Sequence, residues 1–205
     1  LSRLPEQDTL RARIARANEL ALLELTEDAQ AEIDAIERQL DDKPAHRFLI
    51  GLLRYDAGAT LKAFGVFSSI LGNFDESGRK ALPREFWQAY FPVSYRTEVA
   101  KAARRLKLDE LLLLSIIRQE SAFDADSLSS ANAMGLMQVL PQTGRQLLQR
   151  RAVTVNAGTF RANTFRAEDL YDPALNIQLG SRYVANLLRR FNNSLPLVLA
   201  AYNAG

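Results

Sequence analysis

Apolar residues recur every three or four positions along most of the chain. Leu10, Ile14, Ala17 and Ala21 form one such series, Ile33, Ile36 and Leu40 a second, and Phe64, Phe67 and Leu71 a third. This spacing puts side chains on one face of a helix and predicts a succession of amphipathic helices. Thr26-Glu27-Asp28 has the makeup of a helix start, with Thr26 as cap and two acids in the first turn. Lys43-Pro44 and Gly72-Asn73 read as breaks. The best strand signal is the β-branched stretch at 152–155. The predicted class is therefore all-α. Residues 1–75 read as short helices joined by short loops, paired antiparallel as in helical-repeat arrays. No clean period emerges, so an ordinary helical bundle is an equal alternative.

A boundary is expected around residues 78–92, giving a helical domain at 1–78 and a second domain at 79–205. Leu82-Pro83 and Phe91-Pro92 flank Phe86, Trp87, Tyr90 and Phe91. Such a cluster joins two elements by packing, the favoured reading, or offers aromatic faces to sugar rings.

Composition narrows the class. The 205 residues, 47% hydrophobic and 24% charged, suit one large or two small globular domains and exclude a disordered chain. The longest apolar run, 111–117, is interrupted by Ser115 and is too short to span a membrane. Without cysteine there are no disulfides or thiolate metal sites, and His46 alone supplies neither a Ser-His-Asp triad nor a multi-histidine metal site. No metal or cofactor is suggested. Residues 1–92 carry 12 basic and 15 acidic side chains (net −3), and residues 93–205 carry 14 and 9 (net +5). A weakly basic half favours an anionic polymer, but with no Lys/Arg block or nucleic-acid motif, nucleic acid is not the expected partner and a solvated surface is the simpler account. The start Leu1-Ser2-Arg3-Leu4-Pro5 lacks an initiator Met and a basic-then-apolar leader, and Gly205 follows an apolar run. The chain reads as a piece of a longer protein.

Candidate chemistry concentrates in residues 108–141. Asp109 is placed to cap a helix running to Glu120. Leu113, Ile116 and Ile117 stand seven, four and three positions before Glu120, so its carboxyl shares their apolar stripe. Burial and the negative end of the helix dipole both raise a carboxyl pKa, as a general acid requires. The alternative is a structural glutamate reaching solvent or paired with Arg118. Residues 121–132 read as a Ser/Asp/Ala-rich loop. Gly135 suits a close backbone approach. Gln138, set among Leu136, Met137, Val139 and Leu140, either satisfies buried backbone, the favoured role, or faces a cleft where its amide suits N-acetyl or hydroxyl groups. Asp124 and Asp126 read as turn or capping residues rather than a second catalytic carboxylate.

Four blocks in order, Arg118-Gln119-Glu120-Ser121, Gly135-Leu136-Met137-Gln138, the Asp172-Pro173, Asn176-Ile177 and Gly180 pattern, and Ala201-Tyr202-Asn203-Ala204-Gly205, resemble the soluble lytic murein transglycosylases. Leu82-Pro83 with Trp87 and Tyr90 resembles the segment leading into their catalytic domain, so the likeness covers about residues 80–205. Two positions depart from the family pattern: Asn132 stands for a usual Gly, and Asn tolerates positive φ; Leu140 stands for a Met of similar volume.

The resemblance implies a superhelical or repeat-like helical segment followed by a mainly α, goose-type-lysozyme-like catalytic domain. It implies Glu120 as catalytic acid/base and Ser121 beside it as a residue fixing the carboxyl or the loop, grouped with the substrate-binding set. Ser129 and Gln138 are implied as substrate contacts, Tyr202 as a hydroxyl reaching the carboxyl, and Asn203 as its neighbour in the site. The implied substrate is peptidoglycan, cut between N-acetylmuramic acid and N-acetylglucosamine with a 1,6-anhydro product, in the periplasm or cell envelope. The competing expectations are a goose-type hydrolase, a non-catalytic peptidoglycan-binding or scaffold protein, and a purely structural helical-repeat protein.

Overall fold

The computed structural model describes residues 5–204, with side chains from residue 9 onward. It divides into two compact units, Leu1–Pro92 and Val93–Gly205. The described residues form eleven α-helices, one 3-10 turn and one two-stranded sheet, in line with the predicted all-α class.

The first unit holds α1 (Pro5–Leu22), α2 (Thr26–Glu37), α3 (Pro44–Asp56), α4 (Thr60–Gly72), α5 (Glu76–Lys80) and α6 (Arg84–Tyr90). Short links make α1 and α2 one pair and α3 and α4 another. The breaks fall where expected: Pro44 opens α3, its missing N–H costing nothing at a first helical position, and Gly72 closes α4. Thr26 differs from expectation. It is the first residue inside α2; Leu25 holds the cap position, and no side chain caps the helix. The apolar series meet in two cores. Ala17, Ala29, Ile33, Ile36, Ile50 and Leu53 form one. Ala63, Phe67, Ile70 and Phe86 form the other, flanked by Trp87 and Tyr90.

The aromatic cluster therefore packs inside this unit. Phe86 meets Phe67 edge-on at 5.5 Å and Trp87 edge-on at 5.4 Å, the geometry that ring quadrupoles favour. For this reason residues 79–92, expected with the second domain, stay with the first, and the units divide after Pro92. Gly51 lets Phe67 approach: a Cβ there would lie 2.5 Å from its Cε1.

The second unit holds α7 (Arg96–Leu106), α8 (Glu110–Ser121), α9 (Pro141–Arg150), β1 (Val153–Val155), β2 (Gly158–Phe160), a 3-10 turn (Ala167–Tyr171), α10 (Pro173–Arg190) and α11 (Leu195–Ala204). The predicted strand is β1, paired antiparallel with β2 so that Val153 faces Phe160. α10 is the hub, packed against α7, α9, α11, β1 and the 3-10 turn. Its Leu175, Ile177, Leu179 and Val184 are wholly buried. Asp172 caps it by accepting the Leu175 N–H at 2.7 Å, and Pro173 follows at the first helical position. Asp109 caps α8 as expected, accepting the Leu112 N–H at 3.0 Å. No helix among the described residues is long and apolar enough to cross a membrane.

Gly51→Ala is expected to destabilise the first unit by about 1–3 kcal/mol, the usual cost of overfilling a packed core. Trp87, the one tryptophan, borders that core. Urea unfolding followed by its fluorescence should move to lower denaturant; an unchanged midpoint would mean that the Phe67 ring yields without cost.

Candidate active site

The site is built where α8 ends. Leu113, Ile116 and Ile117 are buried in the core, and Glu120, on the same stripe, is half-buried at its edge. Burial holds the Glu120 pKa above the ordinary glutamate range, and no partner charge offsets that desolvation. The chain then turns sharply. Ala122 and Phe123 both lie in the left-handed region, at φ 49° and 67°. Such conformations cost of order 1–3 kcal/mol each in non-glycine residues and persist where the surroundings over-determine them. Here both side chains are buried.

Ser121 lies behind the site. It is fully buried, and its Oγ donates to the carbonyls of Leu136 at 2.9 Å and Ile117 at 3.1 Å. A hydroxyl so enclosed meets no ligand. Of the two implied roles, fixing the loop is the one its position allows, and substrate contact is corrected.

The expected loop after Ser121 folds on itself. Asp124 accepts the Asp126 N–H at 3.0 Å, the turn role expected of it. Leu128 bridges Met134, which bridges Val139. Ser129 closes the turn twice, donating its N–H to the Ala133 carbonyl at 2.9 Å and accepting the Ala133 N–H on Oγ at 3.0 Å. Asn132 takes φ 61°, the left-handed conformation that Asn tolerates better than most non-glycine residues.

The 134–138 turn is the centre of the arrangement, and Met137 anchors it. The Met137 N–H donates to Asn176 Oδ1 at 2.8 Å, and its carbonyl accepts the Tyr202 hydroxyl at 2.7 Å. Its side chain fills the notch at Gly180, where a Cβ would fall 2.5 Å from Sδ. Asn176 is wholly buried, and its Nδ2 donates to the carbonyls of Met134 and Leu170, both at 2.8 Å. Gly135 is required twice: its φ is +73°, and a Cβ would stand 2.4 Å from the Leu170 carbonyl oxygen and the same from Asn176 Nδ2.

Gln138, half-buried at φ 46°, gives its Nε2 hydrogens to the carbonyls of Gly135 at 2.9 Å and Ser127 at 3.1 Å. Both donors are used on backbone, the structural role favoured from sequence. The remaining Oε1 can only accept. Tyr202 on α11 is buried. Burial first, then the charge of Glu120, then Tyr183, push its phenol pKa upward. The Tyr183 ring lies 5.4 Å from that of Tyr202. Asn203 is exposed, and Gly205, the last residue of the fourth block, lies outside the described residues.

The structure thus brings together Glu120, the Gln138 turn and Tyr202. Sequence reasoning gave Asn176 no role. Its signal was a lone amide between Leu175 and Ile177, four residues before Gly180, on an otherwise apolar helical face. Chemically, a half-buried carboxyl that makes no ion pair among the described residues is able to hold a proton and give it up. Of the nearest acids along the chain, Asp124 has its carboxylate tied into a turn by the backbone N–H of Asp126.

Asn176→Ala would strand the Met137 N–H and two buried carbonyls. Each buried unsatisfied group costs about 1–3 kcal/mol, so a loss of several kcal/mol is expected. Thermal unfolding checks it: a drop of under 2 °C would show that the turn is held some other way.

Comparison with known proteins agrees with this geometry. Residues 98–205, more than half of the chain, match the family model described as the transglycosylase SLT domain. The chain is 34% identical over 119 residues to membrane-bound lytic murein transglycosylase C of Haemophilus influenzae, covering 54% of this chain and 31% of that protein. Among solved structures it is similar to an inactive Glu-to-Gln form of the lytic transglycosylase Slt of Pseudomonas aeruginosa, with TM-score 0.71 and 25% identity over all of this chain and 30% of that one. It shares the fold of the 70 kDa soluble lytic transglycosylase of Escherichia coli at TM-score 0.66, with 20% identity over 94% of this chain and 28% of that one. The chain therefore spans less than a third of each of these relatives. A helix-borne acid, the glycine turn clamped from α10 and the tyrosine of α11 stand within the matched region, and the chain belongs to the transglycosylase SLT domain family.

Proposed function

We propose that the protein is a lytic murein transglycosylase of the bacterial cell envelope, cleaving the β-1,4 bond between N-acetylmuramic acid and N-acetylglucosamine with Glu120 as its single acid/base. The observation that carries this reading is the Glu120 carboxyl, half-buried near the end of α8 on the stripe of Leu113, Ile116 and Ile117 and without an ion pair among the described residues. The names of the relatives and the family membership support the reaction class. So does the Pseudomonas protein, whose Glu-to-Gln form is inactive.

Ordinary glycosidases use two carboxylates. One suffices when the substrate carries its own nucleophile. Protonated Glu120 gives its proton to the bridging oxygen as the C1–O bond breaks and N-acetylglucosamine leaves. The N-acetyl group of the muramic residue shares the positive charge at C1. The Glu120 carboxylate then takes the proton of that residue's 6-hydroxyl as its oxygen bonds to C1. The 1,6-anhydro ring closes, Glu120 regains its proton, and no water is consumed. Tethering raises the effective concentration of the hydroxyl and replaces the second carboxylate. Gln138 contributes Oε1 as an acceptor for a sugar N–H or O–H, and Ser129 and Asn203 contact the strand from the loop and from α11. Ser121 positions the turn from behind.

Glu120→Gln in the full-length protein should reduce release of soluble fragments at least 10²-fold, the lower end of what positioned proton transfer contributes. Mass spectrometry of wild-type products should find ends lighter than reducing ends by one water. Reducing ends alone would reassign the protein as a goose-type hydrolase, and undiminished release by the variant would remove Glu120 from its role.

Glu120 also has a stability signature. Its folded pKa is raised, so its favourable contribution is complete below the unfolded pKa and is lost as pH climbs through the folded one. The Gln variant should therefore melt at or above wild type on the alkaline side of that pKa. Activity that needs the protonated acid should fall over the same interval. A variant less stable than wild type at pH 8 would contradict the desolvated carboxyl.

A further inference from the structure

Six cations line one groove where the C-terminal ends of α7, α9 and α10 converge. Arg105, Lys107, Arg150, Arg151, Arg182 and Arg189 surround about 570 Å³, and no carboxylate lines it. None of the six makes an ion pair among the described residues. Arg189 leans on the neutral amide of Asn186. Asp109, the acid nearest to Lys107 along the chain, has its carboxylate spent on the Leu112 N–H. Six of the fourteen basic side chains in residues 93–205 are thus gathered at one place.

Part of this is ordinary helix chemistry. Arg105, Arg150 and Arg189 stand in last turns, and Lys107 and Arg151 hold the cap positions just beyond, where the negative end of a helix attracts cations. That attraction is small beside the charge collected. Each helix end carries about −0.5, so three ends offset about 1.5 of the six positive charges and leave a surplus of about 4.5. Arg182 lies outside that account. It stands well inside α10, seven positions before Arg189 and so on the same face.

Arg182 is also firmly fixed. It is partly buried, and its guanidinium donates to the Arg151 carbonyl at 2.7 Å and the Ala152 carbonyl at 3.1 Å. Two of its five N–H hydrogens are used in this way, and three stay uncommitted among the described residues. Burial, and then the charges of Arg105 and Arg151, push its pKa down. Burial and like charge both work against this cation, and a bound anion offsets both.

The size of the surplus selects the anion. A carboxylate returns one charge, whereas a phosphate monoester carries about −1.5 to −2 near pH 7 and offers three acceptor oxygens. Two or three phosphates match a surplus of about 4.5, which carboxylates would need four or five separate groups to meet. Guanidinium forks take phosphate oxygens in pairs, and a fork already held by two carbonyls loses little freedom in doing so.

We infer that this groove is a binding site for a compact group bearing two or more phosphates, separate from the chemistry of Glu120 and independent of the reading given to it. Leu106, Leu108 and Leu188 line the same space and suit phosphates carried on an apolar body. A phosphorylated lipid headgroup and a soluble phosphate compound both present this chemistry. Binding of either kind is electrostatic, so it weakens with salt.

The experiment uses the full-length protein and the double variant R150Q/R189Q, which leaves the partly buried Arg182 in place. Titration calorimetry with tripolyphosphate measures the groove, with citrate as a carboxylate of similar charge. Wild type should bind tripolyphosphate at least tenfold more tightly than R150Q/R189Q does, and at least tenfold more tightly than it binds citrate. R150K/R189K, which keeps the charge, should restore most of the affinity and so separates a lost site from a misfolded chain. Sedimentation with vesicles of equal parts phosphatidylcholine and phosphatidic acid distinguishes the sources. Wild type carried down by these vesicles and released by tripolyphosphate identifies a lipid headgroup. Tripolyphosphate binding without sedimentation identifies a soluble phosphate compound. Equal tripolyphosphate binding by wild type and R150Q/R189Q would overturn the proposal. So would citrate binding as tight as that of tripolyphosphate, which would leave a bare charge cluster. None of these readouts uses turnover, so failure of the transglycosylase reading would leave them unchanged.

Discussion

The candidate site depends on three hydrogen bonds made by one buried amide. The 134–138 turn belongs to no regular element, so its backbone groups have no ladder to satisfy them. Asn176 supplies the missing partners from the rigid hub helix, taking the Met137 N–H and serving the Met134 and Leu170 carbonyls. An amide is the one uncharged side chain able to accept and donate twice from a single planar group. Gly135 must lack a Cβ for the same approach, and Gly180 must lack one so that Met137 can sit down on α10. Functional chemistry on a loop thus inherits the precision of a helix.

The electrostatics of the second unit follow two opposite rules. At Glu120 a carboxyl is partly dried and left without a cation, which favours the neutral, proton-bearing form. In the groove along α10, cations are collected without a carboxylate among the lining residues. Had Arg182 stood beside Glu120, both features would vanish: the acid would ionise, and the groove would lose its most firmly held charge.

How much of this was legible beforehand divides along physical lines. Periodicity found the helices and Glu120's stripe, because burial of one helical face is a local property of sequence. Asp109 was legible as a cap for the same reason, whereas Thr26 was not: Leu25 takes the cap position, and the residue after it gains no bond from its hydroxyl. β2 was missed, since Gly158 and Thr159 carry little strand signal and pair only because β1 lies alongside. The division after Pro92 depends on Phe86 reaching Phe67, a contact between residues far apart in sequence. Asn176 was visible only as a member of a pattern, because its purpose lies in carbonyls up to forty-two positions away. Gln138 was read with both fates open. Its backbone partners, the Gly135 and Ser127 carbonyls, take both amide hydrogens, the structural fate.

Tyr202 ties the turn to the acid. Its hydroxyl proton is committed to the Met137 carbonyl, so toward Glu120 the phenol has no hydrogen to give. A phenol donating elsewhere can accept from a protonated carboxyl, and it offers nothing to a carboxylate. The raised Glu120 pKa comes from burial. The same desolvation makes the carboxylate, once formed, a stronger base than a hydrated one.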